Sequence, residues 1–198
     1  MTRLPLKTIA NLNNEKNMKA FYTFIVFIFI TLSSNISAEE ILTPLSNKPE
    51  APEFLLRDMD EKIKELDDYK GKPVIINFWA TWCPPCREEL PSMNRAWEKI
   101  KDEGIEMLAI NIGEDEETIS TFTKDFPIDF TILLDESSEE ISNWSIRGLP
   151  TTFILDPQGH VIYRAVGGRE WDNEKLLDMV RALKTEPKVV ATKAVAKK

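Results

Sequence analysis

The feature that most constrains this chain is a change of periodicity at two cysteines. Val74 to Ala80 (VIINFWA) is a short unbroken apolar run rich in β-branched and aromatic residues, the pattern of a strand buried on both faces. Past Cys86, the residues Leu90, Met93, Asn94, Trp97, Ile100 and Lys101 recur at helical spacing as far as Gly104, a stop signal. Trp82-Cys83-Pro84-Pro85-Cys86 stands between the two patterns, so the cysteines lie where a buried strand turns into a helix. Pro84 suits the first helical position, because the N–H it lacks would have no partner inside the helix.

That placement carries chemistry. A thiolate, not a thiol, attacks a disulfide, and the free N–H groups and positive dipole end at a helix start stabilise negative charge. Cys83 is therefore expected to be the exposed nucleophile and Cys86, one turn inside, the more buried resolving thiol. Arg87 adds a positive charge nearby. The two cysteines of the chain are too few to complete a tetrahedral zinc site unaided, and they close too small a loop to act as a structural staple. No metal and no bound cofactor is expected, the redox group being the Cys83-Cys86 disulfide itself. A copper-binding chaperone would need a third ligand, and the only histidine, His160, reads as part of a distant turn. A peroxiredoxin-like peroxidase would want its cysteine in a threonine-containing loop.

A net charge of -8 and a pI near 4.9 argue against nucleic acid as a partner, since a duplex-binding surface must replace condensed counterions with Lys and Arg. Ala20 to Leu32 (AFYTFIVFIFITL) is apolar over 13 residues and follows Lys19, which suits a signal-peptide core and falls short of the roughly 20 residues that span a bilayer. Met18 reads as a natural start, and small and polar residues lead to a cut after Ala38. Two fates stay open, cleavage or retention of Ala20 to Leu32 as a membrane anchor, and both place the domain on the exported, periplasmic side. No Cys follows the run, so a lipoprotein anchor is excluded. Loss of residues 1–38 removes four basic side chains and one acidic one, taking the charge from -8 to -11.

Along the rest of the chain, 39–52 reads as an extended polar lead-in without core residues and 53–186 as the folded domain. Within it, Phe54 to Arg57 and Lys62 to Lys64 are expected to pair as a hairpin, and Leu66 to Tyr69 to make one helical turn. Ile105 to Ile112 reads as a second buried strand, Glu114 to Lys124 as a helix, Phe130 to Leu134 as a strand and Ser138 to Trp144 as a short helix. Thr151 to Leu155 and Val161 to Val166 flank the turn signature Asp156-Pro157-Gln158-Gly159-His160. Asp172 is expected to cap a last helix with Leu176, Leu177, Met179, Val180 and Leu183 on its apolar face. The tail 187–198 is cationic and lacks a core pattern. This order implies an α/β fold, a central mixed β-sheet flanked by helices on both faces, with a small N-terminal hairpin extension.

The segments VIINFWATWCPPCREELP and GLPTTFILDPQGHVIYRAVG resemble the thioredoxin superfamily, and within it the TlpA/ResA-like exported thiol-disulfide oxidoreductases, from about Phe54 to Leu183. The resemblance implies a thioredoxin fold, a cis peptide bond before Pro150, and a substrate-binding surface of Trp82, Leu149 and Pro150. It also implies a helix kinked by Pro91. Asn77 stands where thioredoxin carries a buried aspartate and cannot ionise. Glu89 matches the glutamate that the ResA-like branch places near the dithiol, where it tunes the cysteines and takes the proton of Cys86. The implied partners are disulfide-containing exported proteins, apocytochrome c among them, and a membrane thiol reductase as electron donor. A thiol oxidant or disulfide isomerase is the alternative direction of the same chemistry.

Overall fold

The computed structural model describes residues 42–185. The expected signal or anchor segment and the basic tail 187–198 lie outside these residues. Among the described residues no helix is long and apolar enough to cross a membrane.

The strands are β1 (Thr43–Pro44), β2 (Leu55–Asp58), β3 (Ile63–Glu65), β4 (Val74–Trp79), β5 (Glu106–Ile112), β6 (Thr131–Asp135), β7 (Thr151–Leu155) and β8 (Val161–Val166). They form one sheet in the order β1-β8-β7-β4-β5-β6-β2-β3. The β4–β5 and β5–β6 pairs are parallel, and the others antiparallel. The helices are α1 (Pro84–Ile100), α2 (Glu116–Thr123), α3 (Glu139–Asn143) and α4 (Glu174–Ala182), with single 3-10 turns at Leu66–Tyr69, Lys101–Glu103 and Leu183–Thr185. The expected hairpin, helical turn, strands and helices are all present, with ends moved by one or two residues.

Side-chain alternation along the strands sorts the core into two layers. In β4, Ile75 and Trp79 face one layer and Val74, Ile76 and Phe78 the other. The first layer holds Leu90, Met93, Ala96 and Ile100 of α1 together with Leu176, Leu177 and Val180 of α4. The second holds Leu66, Tyr69 and the residues that follow α3, Trp144 and Ile146. Asn77 shares its face with Ile75 and Trp79, which aims it at α1. Gly104 ends the α1 region with φ 71°, a conformation in which a side chain would be strained.

Three expectations need correction. The polar lead-in reaches the core, since β1 pairs with β8 and Leu42 is 2% exposed in the α1 layer. Ile41, Leu42 and Leu45, interrupted by Thr43 and Pro44, are too short a group to give a periodic signal, and only the free edge of β8 makes Thr43–Pro44 a strand. Asn173, not Asp172, caps α4, its side chain accepting from Lys175 N–H at 2.9 Å. Asp172 is drawn away by Arg95 of α1, 2.6 Å distant. The third correction, the burial of Cys83, belongs to the site below.

Phe78 is fully buried and touches Trp144 and Phe153 at ring separations of 5.3 and 5.9 Å. Replacing it with Ala deletes the centre of the second layer and costs about 3–5 kcal/mol, to be read from the urea midpoint with an unchanged m-value.

Candidate active site

β4 runs into the turn Ala80 to Cys83, closed by Cys83 N–H on the Ala80 carbonyl at 3.2 Å, and α1 starts immediately afterwards. Cys83 is the N-cap of α1, with φ -90° and ψ 105°. Its Sγ accepts from the N–H of Cys86 at 3.3 Å. Pro84 and Pro85 occupy the first two helical positions, and neither has an N–H to offer. The helix start therefore directs one amide at the sulfur, that of Cys86, rather than the several that a proline-free start would supply.

Cys83 and Cys86 are joined as a disulfide with Cα atoms 5.3 Å apart. Both are buried, Cys83 at 3% exposure and Cys86 at 0%. Cys83 is therefore not the exposed member of the pair that was expected. The exposed residue is its neighbour Trp82, at 66%, so the indole stands out from the surface while the sulfur ahead of α1 is recessed beside it. Trp79 is fully buried against Phe122. Arg87 lies over the Phe126 ring at 4.8 Å, which occupies its cation on the flank of α1.

Glu89, one turn after Cys86 on the same helix, is 2% exposed. One carboxylate oxygen accepts from Asn77 Nδ2 at 2.8 Å. The other accepts from Trp171 Nε1 at 2.9 Å and from Arg169 N–H at 3.3 Å. Burial pushes this carboxyl up to about 7, and the Trp171, Asn77 and Arg169 donors hold it from rising further. Asn77 also donates to Thr152 Oγ1 at 2.9 Å. The residue that cannot ionise thus serves as a neutral donor to the one that can.

The segment after β8 brings Arg169 and Trp171 to α1. Ser92 Oγ accepts from Trp171 N–H at 3.0 Å and contacts the Arg169 carbonyl at 3.3 Å. A Cβ on Gly168 would stand 2.9 Å from the Pro85 carbonyl oxygen, so only glycine lets the chain pass this close to the start of α1. Arg95 pairs with Glu170 and Asp172, and Lys99 with Glu174 and the Asp172 carbonyl. A cleft lined by Pro85, Glu88, Glu89, Gly168, Arg169 and Glu170 opens at this junction and gives Glu89 a way to solvent.

The Leu149-Pro150 peptide bond is cis. Pro150 is buried, its carbonyl accepting from Gly167 N–H at 2.9 Å, and Leu149 packs against both core layers. His160 belongs to its turn, with Nδ1 3.1 Å from Asp156. Trp171, Ser92 and Arg169 were not legible as site residues. Trp171 lies 82 positions from its carboxylate partner, and no local spacing links them.

Because Glu89 holds its proton more tightly folded than unfolded, its contribution to stability is complete below pH 4.5 and is lost as pH rises through 7. The displacement from 4.5 to about 7 corresponds to about 3 kcal/mol. Unfolding titrations from pH 4 to pH 8.5 are expected to show this fall in the wild type and not in Glu89→Gln, so that the difference between the two profiles isolates it.

The AhpC/TSA family model matches residues 48–164. The thiol-disulfide oxidoreductase ResA of Bacillus cereus is 39% identical over 118 residues, covering 60% of this chain and 68% of the relative. That of Bacillus subtilis is 37% identical over 123 residues, covering 62% and 69%. A protein from Chlorobium tepidum assigned as a thiol:disulfide interchange protein DsbE superposes with a TM-score of 0.64 at 31% identity, over 69% of this chain and 96% of the other. A cysteine pair at a strand-to-helix junction, a cis-proline beside the sheet and these relatives agree: the chain belongs to the AhpC/TSA family of thioredoxin-like proteins, in its ResA-like group, and is a thiol-disulfide oxidoreductase.

Proposed function

We propose that this enzyme acts on the exported side of a membrane as a reductase of disulfides in other exported proteins. The observation that carries the mechanism is the buried Glu89 carboxyl, raised to about 7 and one helical turn from Cys86. A group that titrates near neutral pH exchanges protons with little driving force in either direction, which is what a resolving thiol needs from a base.

In the reduced enzyme the Cys83 thiolate attacks one sulfur of a substrate disulfide. The S–S bond of the substrate breaks, a mixed disulfide with Cys83 forms, and the other substrate sulfur leaves as a thiolate that takes a proton from water. Ionised Glu89 accepts the proton of Cys86, whose thiolate attacks Cys83 Sγ and expels the second substrate sulfur. The substrate gains two electrons and the Cys83-Cys86 disulfide is restored. Glu89 returns its proton through the cleft between Pro85 and Glu170. No cofactor enters this sequence. A membrane thiol reductase recharges the pair, and exposed Trp82, with the backbone of half-buried Leu149 ahead of buried cis-Pro150, receives the extended substrate segment. Apocytochrome c, with cysteines that must be reduced before haem attachment, is the substrate class this reading favours.

Cys86→Ala removes the resolving thiol and is expected to accumulate disulfide-linked partners through Cys83, seen on non-reducing gels of exported protein and lost on reduction. Cys83→Ala is expected to trap none. Equal yields from the two variants would defeat the assignment of roles. For the direction, the pair is expected to equilibrate with glutathione at a potential nearer thioredoxin's, about -270 mV, than DsbA's, about -120 mV. A value near the latter would make the enzyme an oxidant.

A further inference from the structure

The turn that delivers Cys83 is fastened from a strand the exchange chemistry does not otherwise use. Ala80 to Cys83 is a four-residue turn closed by its own hydrogen bond, with Thr81 and Trp82 as its central residues. β5 lies beside β4 in parallel register, Asn111 opposite Trp79. Just beyond its end Gly113, at φ 75°, redirects the chain so that Glu114 meets the turn. One carboxylate oxygen of Glu114 accepts from the Thr81 backbone N–H at 2.7 Å and from Asn111 Nδ2 at 2.8 Å. The other accepts from the Thr81 hydroxyl. Asn111 is fully buried, so the carboxylate is itself anchored to the sheet.

Trp82 needs such a fastening. It is a large apolar side chain at 66% exposure, on a turn whose neighbour Cys83 is recessed. Without an external hold, burying the indole would compete with presenting it. We infer that Glu114 is a positioning residue for disulfide exchange: it locks the turn that aims Cys83 and keeps Trp82 outward, and so sets how a protein disulfide is received. This rests on the reading of Cys83 as the nucleophile.

The geometry separates shape from charge. A glutamine at this position, its oxygen toward Thr81 N–H and Asn111 and its amide nitrogen toward the Thr81 hydroxyl, keeps all three contacts without the charge. Alanine loses all three, and Thr81→Val loses the hydroxyl contact alone.

The test uses the reduced full chain and compares kcat/KM for insulin, a protein disulfide, with that for hydroxyethyl disulfide, which is too small to use the surface around Trp82. Glu114→Ala is expected to lose about tenfold on insulin, carried by KM, and less than about threefold on the small disulfide. Glu114→Gln is expected within about threefold of wild type on both, and Thr81→Val to lose about threefold on insulin. Trp82 emission is expected to shift in Glu114→Ala and not in Glu114→Gln. Equal losses on both disulfides in Glu114→Ala, or a Gln variant as impaired as the Ala variant, would overturn the inference. The first makes Glu114 a general support, and the second makes its charge decisive. Should Glu114→Ala fail to fold, Thr81→Val decides alone, and an undiminished insulin rate overturns the inference. Iodoacetamide labelling of Cys83 in Cys86→Ala isolates the underlying reading: labelling no faster than a free peptide thiol overturns that reading and this inference with it.

Discussion

A carboxyl group buried between a helix and a sheet is costly unless donors surround it, and much of this structure supplies donors to Glu89. β4 places Asn77 on the α1 side through simple alternation with Ile75 and Trp79. The segment after β8 contributes an indole N–H and a backbone N–H from Trp171 and Arg169. That segment is in turn tied to α1 at Ser92, Arg95 and Lys99. The ion pairs of Arg95 and Lys99 are exposed and individually weak, but they run along one face of α1 and keep the two donors in register with the carboxylate. Gly168 permits the close passage past Pro85 on which this arrangement depends.

The same constraint shapes the chemistry of the two sulfurs. Glu89 is raised to about 7 by burial and held there by its three donors, so the base assigned to Cys86 lies inside the protein rather than in bulk water. Cys83 receives a different treatment. It caps α1, and Pro84 and Pro85 remove two of the amides a helix start ordinarily presents, leaving Cys86 N–H on its Sγ. Cys83 Sγ thus meets one peptide N–H, while the carboxyl proposed as the base for Cys86 lies one helical turn further along α1, in the interior.

How far the sequence could be read depended on the distance between interacting residues. β4 and β5 announce themselves through short apolar runs, because strands buried on both faces need no polar alternation, and β7 and β8 through the turn signature between them. The hairpin of β2 and β3 and the single turn at Leu66–Tyr69 are local elements and were also legible. The cis bond at Pro150 came from resemblance alone. Asp172 looked like a helix cap because capping is a local rule, and it failed because Arg95, 77 positions away, offers a stronger partner. Leu42 looked like linker because Ile41, Leu42 and Leu45 are too few to carry a period, and it is core because the edge of β8 was free to pair with β1. Cys83 was expected to be exposed, since adjacency to a helix start says nothing about what packs around it.

The sequence by itself determined the elements, their order and the identity of the reacting pair. Those properties follow from backbone preference, side-chain period and a dithiol spacing that spans a few residues. Only the tertiary structure decided that Glu89 is an interior group rather than a surface neighbour of Glu88, that Asn77 and Trp171 hold it, and that Glu114 grips the turn before Cys83. Each of these is a contact across the sheet or between distant segments. Its energy comes from removing charged and polar groups from water together, and a chain read one residue after another carries no record of which groups will be desolvated side by side.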